Sequence, residues 1–132
     1  MLYCADHGED MMDDKRGRFL HASPTTTAYQ LYVASLCWFS ERYRQHFPQK
    51  VTLAEEHATA PATTHAMYHT IADMASIVGR YCDPQSSLVS PDYNHKAPRR
   101  YLNDHNEAVP FRETGLTEAD IELLKKYGIT DL

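Results

Sequence analysis

The sequence predicts an α/β fold built on a mostly parallel central sheet flanked by helices. A short apolar run at residues 2–5 leads directly into the polar box Asp6-His7-Gly8-Glu9, and buried parallel strands of open α/β sheets present functional residues at their carboxyl ends in this way. A second apolar stretch, residues 31–39, is rich in β-branched and aromatic side chains and predicts a buried strand. A sheet with only one or two strands has unpaired edges. We therefore expect the chain to be part of a larger sheet, and to self-associate through an exposed edge when it is alone.

Composition excludes several classes of protein. The 132 residues are 42% hydrophobic and 23% charged, as in a single globular domain. The net charge of −5, without a Lys/Arg cluster, argues against nucleic-acid binding. No run approaches the roughly 20 apolar residues of a membrane span, and no signal-peptide pattern is present, so we expect neither signal nor anchor in this chain. Cys4, Cys37 and Cys82 match no metal-binding spacing and predict free thiols, buried for the first two.

The segment between the two predicted strands begins as a polar loop. Residues 9–18 are dense in charge, and we expect Asp10, Asp13 and Asp14 to solvate this loop rather than to bind a metal. The second strand is expected to place Trp38 in the core.

Helix signals follow the second strand. Ser40 is a favourable N-cap, with Glu41 in the first turn behind it, and Pro48 is expected to end this short helix near residue 47. Residues 50–62 predict a loop.

A longer helix is predicted next. Thr63 or Thr64 can cap it, and Gly79 supplies a stop signal. Its apolar face is expected from four residues that recur at helical spacing, Met67, Ile71, Met74 and Val78.

The remainder of the chain predicts an extended surface segment followed by a helix. Residues 83–115 are rich in proline and have little periodicity. Thr117 then caps the last helix, and Gly128 ends it after two lysines that complement the helix dipole.

The polar box carries the clearest chemical signal. Asp6 and His7 offer a carboxylate oxygen and an imidazole nitrogen, which bind zinc at about 2.0–2.2 Å. Gly8 allows a sharp turn or a close approach that a side chain would block. Glu9 is better placed to orient a histidine than to bind the ion itself. Two donors make only half of a tetrahedral zinc shell, and the alternative for the pair is an Asp-capped turn with a solvent histidine.

Other polar residues favour structural roles. His65 and His69 are four apart on the predicted helix, but Ala66 stands where a zinc-protease motif needs glutamate. We therefore expect His69 to be a hydrogen-bonded core or helix-face histidine. The run from Asn103 to Asn106 predicts a hydrogen-bonded turn, with contact to a substrate headgroup as the alternative.

Four landmarks in one order resemble the C-terminal part of the catalytic domain of bacterial phosphoethanolamine transferases, within the sulfatase-like, alkaline-phosphatase-like superfamily. The resemblance covers roughly residues 1–80, and the tail is similar to a lineage-specific extension of the family. The landmarks are the box Asp6-His7-Gly8-Glu9, the dipeptide Leu20-His21, the stretch Leu31 to Ser40 and the helix Thr64 to Thr70.

This resemblance implies a sulfatase-like sandwich, of which residues 1–132 are a C-terminal part. Residues 1–80 would carry the metal box, 81–115 an extended surface segment and 116–132 the last helix. It also implies a zinc enzyme at the periplasmic face of the inner membrane. The intact protein would transfer phosphoethanolamine from phosphatidylethanolamine, its phospholipid donor, to a glycolipid acceptor, lipid A or the lipopolysaccharide core.

The resemblance also implies roles for individual residues. Asp6 and His7 match metal ligands, and His21 matches a catalytic histidine beside the phosphoryl group, which binds phosphate, assists proton transfer or contacts a second metal. The nucleophilic threonine and a glutamate ligand of the family lie upstream of the box, outside this chain. Two alternatives stay open: a sulfatase-like hydrolase or phosphodiesterase, and an inactive structural remnant when the chain stands alone.

Overall fold

The computed structural model describes residues 1–21, 26–103, 105, 107–110 and 113–129. These residues form a mixed α/β structure with five helices, one 3-10 turn and six short strands. The elements in chain order are β1 (Leu2–Cys4), β2 (Asp10–Met11), β3 (Phe19–Leu20), α1 (Ala28–Leu31), β4 (Ser35–Cys37), α2 (Glu41–His46), α3 (Pro48–Glu56), α4 (His65–Met74), the 3-10 turn Pro84–Ser86, β5 (Arg100–Leu102), β6 (Ala108–Pro110) and α5 (Glu118–Lys126).

The strands form three antiparallel pairs, β1 with β4, β2 with β3, and β5 with β6. In the first pair, Leu2 lies opposite Cys37 and Cys4 opposite Ser35. The strand predicted at residues 2–5 therefore exists but was wrongly expected to be parallel and buried. The described residues contain no parallel pair, so the expected mostly parallel central sheet is not found among them.

The predicted buried strand at 31–39 is much shorter and is exposed. Leu31 ends α1, and β4 covers three residues that are all exposed. Trp38, expected in the core, is 59% exposed, whereas the adjacent Phe39 is buried. None of the three cysteines, all of which are described, forms a disulfide, and the expected burial of two of them is wrong, because Cys37 is exposed and Cys4 is only half-buried.

The chain divides into two compact units. The first comprises Met1–Cys4 and Ser35–Ala97, and the second comprises Ala5–Ala34 and Pro98–Leu132. No helix among the described residues combines the length and apolar character needed to cross a bilayer.

The first unit has an apolar core, and its helix α2 has a side-chain N-cap. Phe39, Val51 and Val89 form this core, with Tyr43 and Met74 among the partly buried residues packed against it. The predicted helix after residue 40 is confirmed, because the Ser40 hydroxyl accepts a hydrogen bond from the Tyr43 N–H at 3.2 Å.

Helix α2 ends at His46, just before Pro48, as predicted, but Pro48 also begins a new helix. It occupies the first turn of α3, where its missing N–H costs nothing. The loop expected from residue 50 is therefore wrong as far as Glu56, the last residue of α3.

Helix α4 is confirmed, but only part of its predicted apolar face is covered: Met74 packs against the core, whereas two other residues of that face are exposed. The helix ends at Met74, and Ser76 follows with a φ of 56°. Val78 is 95% exposed and Ile71 is 54% exposed. The buried face instead consists of small and polar residues, Ala66, His69, Thr70 and Ala72.

The second unit contains α1, α5 and the β2–β3 and β5–β6 hairpins. Helix α5 begins with a capping box, in which the Thr117 side chain accepts from the Asp120 N–H and the Asp120 carboxylate accepts from the Thr117 N–H. Gly128 follows the helix with a φ of 84°, the left-handed conformation expected after a helix end. Both predicted boundaries of this helix are confirmed.

Candidate metal centre

Three side chains converge at the open end of the β2–β3 hairpin. His7 and Glu9 precede β2, and His21 follows β3. Because Asp10 pairs with Leu20 in antiparallel register, Glu9 and His21 must leave the hairpin side by side. One ligand atom each from His7, Glu9 and His21 lies within 4.8 Å of the others. The structure therefore brings together two of the three predicted site residues, His7 and His21, and adds Glu9. The third predicted residue, Asp6, is not a member of this cluster.

Glu9 contacts both histidines through one carboxylate oxygen. Its Oε1 lies 2.8 Å from Nδ1 of His21 and 3.5 Å from Nδ1 of His7. The two imidazole rings are 3.7 Å apart between centroids. The expectation that Glu9 contacts a histidine is confirmed. With Nδ1 of His21 held by this carboxylate, its Nε2 is the nitrogen that can meet a ligand.

The second carboxylate oxygen of Glu9 is a buried acceptor in need of a donor. Oε2 has no hydrogen-bond partner within the described part of the chain, and a buried polar atom without a partner is costly. A cation bound by the cluster would satisfy this oxygen. Two imidazole nitrogens and a carboxylate oxygen are a donor set that suits zinc, so these residues fit the metal.

Asp6 lies beside His7 but is the most exposed member of the box. Its Oδ1 accepts from the His7 N–H at 3.2 Å, and its Oδ2 lies 3.5 Å from Nε2 of His7. Two donors on one tetrahedral zinc are about 3.4 Å apart, so the pair has a spacing that one ion can bridge. The Asp6 side chain is 90% exposed, which equally suits the turn alternative.

Gly8 is required because the box packs directly on the backbone of α1. Its N–H donates to the Gln30 carbonyl at 2.8 Å. A Cβ built on Gly8 would lie 1.9 Å from the Tyr29 carbonyl oxygen, which no side chain can tolerate. The predicted close approach at this glycine is confirmed.

Asp10 is buried, so the expectation that it solvates a loop is wrong. Its carboxylate accepts from the Thr27 hydroxyl at 2.9 and 3.0 Å and from Nε2 of Gln30 at 2.5 Å. Gln30 also donates to the Leu20 carbonyl at 3.4 Å, directly before His21. Buried carboxylates are tolerated when hydrogen bonds replace water, and these contacts provide them.

A second buried carboxylate, Asp120, approaches the same region from α5. It receives Nη1 and Nη2 of Arg16 at 2.8 and 2.7 Å and the Ala28 N–H at 3.1 Å. Burial of Asp120 opposes its ionisation, but the hydrogen bonds from Arg16, Thr117 and Ala28 outweigh that effect and lower its pKa below the ordinary 3.8. The hydrogen bonds to Asp120 and Asp14 raise the pKa of Arg16.

The remaining candidate residues have structural roles. His69 is buried, and its Nδ1 accepts from the Asp83 N–H at 3.1 Å, so the prediction of a hydrogen-bonded histidine is confirmed. Asn103 Oδ1 accepts from the N–H groups of His105 and Glu107, as expected of a turn. The other members of that run, Asp104 and Asn106, lie outside the described residues.

Comparison of the chain with protein-family models, with curated proteins and with solved structures finds no match. The family resemblance therefore rests on the sequence landmarks alone.

Proposed function

We propose that this chain is the C-terminal part of a zinc-dependent phosphoethanolamine transferase, with the metal bound at the polar box. The observation that carries the proposal is the convergence of His7, Glu9 and His21. The family resemblance assigns His7 to the metal and His21 to the phosphoryl group, and the reaction requires these two side chains to be neighbours. Convergence across the hairpin supports this requirement independently of the resemblance.

The chemistry follows from the positions of these residues. Zinc, when bound, stabilises negative charge on phosphoryl oxygens and activates a hydroxyl nucleophile. Asp6 and His7 supply the donors that the resemblance assigns to zinc. Glu9 holds Nδ1 of His21 and so leaves Nε2 to bind the metal or a phosphate oxygen beside it.

We further propose that the chain belongs to a sulfatase-like sandwich whose remaining strands lie outside it. Within the described residues, β1 and β4 pair only with each other. This pair exposes the facing residues Tyr3 and Leu36, with Trp38 beside them. Such an apolar surface favours cover by further structure, or self-association of the chain alone. The intact enzyme would lie at the periplasmic face of the inner membrane, between its phospholipid donor and its glycolipid acceptor.

The reading frame upstream of Met1 and an activity assay test the proposal. We expect an in-frame extension that encodes transmembrane helices, a threonine nucleophile and a glutamate ligand. Expression of that longer protein in a bacterium should add phosphoethanolamine to lipid A or the lipopolysaccharide core, as measured by mass spectrometry of the glycolipids. His7→Ala and His21→Ala should abolish this addition, whereas His95→Ala, at an exposed histidine of the first unit, should leave it unchanged.

Two results would contradict the proposal and favour its alternatives. Release of phosphate or sulfate without glycolipid modification would indicate a sulfatase-like hydrolase or phosphodiesterase. A stop codon directly upstream of Met1 would indicate a structural remnant.

A further inference from the structure

One short helix, α1, contacts each segment that carries a member of the metal cluster. Its Gln30 carbonyl accepts the N–H of Gly8, which lies between His7 and Glu9. The Gln30 side chain binds the Leu20 carbonyl, one residue before His21. The position of α1 therefore fixes the backbone next to both histidines of the cluster.

The position of α1 is in turn fixed by Asp120, from the opposite end of the sequence. Asp120 is 2% exposed and accepts the Ala28 N–H at the start of α1. The same carboxylate receives two nitrogens of Arg16, which lies in the loop between β2 and β3. Asp120 thus joins α5, α1 and the hairpin loop at one buried point.

We propose that Asp120 is a positioning residue for the metal centre, which it holds in place through Arg16 and the backbone of α1. This inference rests on the proposed zinc site. Asp120 contacts none of the three cluster side chains, so its effect on the metal must pass through the geometry of the segments that carry them. Without the charge of Asp120, α1 would be held only by packing. The distance between the two imidazole rings would then increase.

A zinc titration of the 132-residue chain by calorimetry tests this inference. At neutral pH and low temperature, Asp120→Asn should weaken zinc binding by about tenfold or more while circular dichroism shows the chain still folded, because supporting residues of metal sites typically have effects of this size. If this variant does not fold, the double variant Arg16→Met/Asp120→Leu removes both charges, which is usually tolerated, and should show the same weakening.

Two control variants separate positioning from simple stability. Val89→Ala truncates the apolar core of the first unit and leaves Asp120 with all its hydrogen-bond partners, so it should lower the melting temperature and leave zinc affinity within about twofold. Glu122→Gln changes an exposed carboxylate on α5, the helix of Asp120, and should alter neither.

The outcomes distinguish this inference from the proposed function. If His7→Ala and His21→Ala abolish zinc binding but folded Asp120→Asn binds as the wild type does, the positioning role is wrong and the metal site stands. The positioning role is also wrong if Val89→Ala weakens zinc binding as much as Asp120→Asn does. If the wild type binds no zinc, or binds it independently of both histidines, the proposed site and this inference both fail.

Discussion

The two units of the chain differ in whether they bury carboxylates. The first unit has an apolar core of Phe39, Val51 and Val89. The second unit buries two carboxylates, Asp10 and Asp120, each surrounded by hydrogen-bond donors. Apolar packing is non-directional, whereas hydrogen bonds to a carboxylate fix the positions of particular groups. Among the described residues, the unit that buries carboxylates is also the unit that carries the candidate metal centre.

Removal of the first buried carboxylate should have the largest effect. Asp10→Ala leaves the Thr27 hydroxyl and the Gln30 amide without their shared acceptor, at a cost of about 3 kcal/mol in unfolding free energy. Urea unfolding followed by circular dichroism measures this cost. Asp13→Ala, at an exposed carboxylate of the same loop, should cost less than about 1 kcal/mol. Equal costs for the two variants would show that burial of the Asp10 carboxylate does not stabilise the second unit.

Truncation of the apolar core should have the next largest effect. Val89→Ala removes buried methyl groups from the first unit and should cost about 2 kcal/mol. Val78→Ala removes the same atoms at a position that is 95% exposed, so its cost should stay below about 0.5 kcal/mol. Hydrogen exchange should show the loss of protection in peptides of residues 39–97. A loss centred on residues 113–129 would contradict the assignment of this core.

Lowering the pH should reduce the stabilisation from a buried carboxylate but not that from the apolar core, and this effect should be smaller than the two above. The pKa of Asp120 is lower in the folded protein than the ordinary 3.8, so its stabilisation is complete above that value and is lost as pH falls through the folded pKa. At pH 3 the unfolded carboxyl is largely protonated, which removes about 1 kcal/mol of the advantage of Asp120. The stability difference between wild type and Asp120→Asn should therefore shrink by that amount between pH 6 and pH 3. The deficit of Val89→Ala should not change, and a similar shrinkage there would contradict the comparison.

Local signals in the sequence were sufficient for several helix boundaries. Ser40 and Thr117 act as caps, and Gly128 follows α5 in the left-handed conformation. Each of these depends on neighbours within four residues, which a sequence displays directly. Pro48 shows the limit of such signals, since proline is compatible both with a helix end and with the first turn of the next helix.

Burial could not be predicted in the same way. The apolar spacing that includes Ile71 and Val78 predicted a face that is exposed, because the residues packed against α4 favour its small and polar side. Trp38 is apolar yet exposed, and Asp10 is charged yet buried. Whether a side chain is covered depends on which segments meet it, and that information is absent from local periodicity.

The residues of the candidate site were predicted in part, and their support was not predicted. The polar box indicated His7 as a ligand and the family resemblance indicated His21, whereas Glu9 was expected to orient a histidine rather than to bind the ion. Asp120 was not predicted to have any role, and its partner Arg16 lies 104 residues away along the chain. Contacts at that separation leave no periodic pattern, so the second unit's polar core became visible only in the fold.

The most direct test of the central claim is the response of the imidazole ¹⁵N signals to zinc. The chain has eight histidines, and titration of the labelled protein should shift the signals of His7 and His21 together, with an affinity of about 1 μM or weaker because three protein donors leave the shell open. His65 and His69, whose rings are 4.7 Å apart on α4, provide the internal control and should not respond. A shift of His65 and His69 instead, or of His7 without His21, would contradict the claim that the hairpin builds one metal centre.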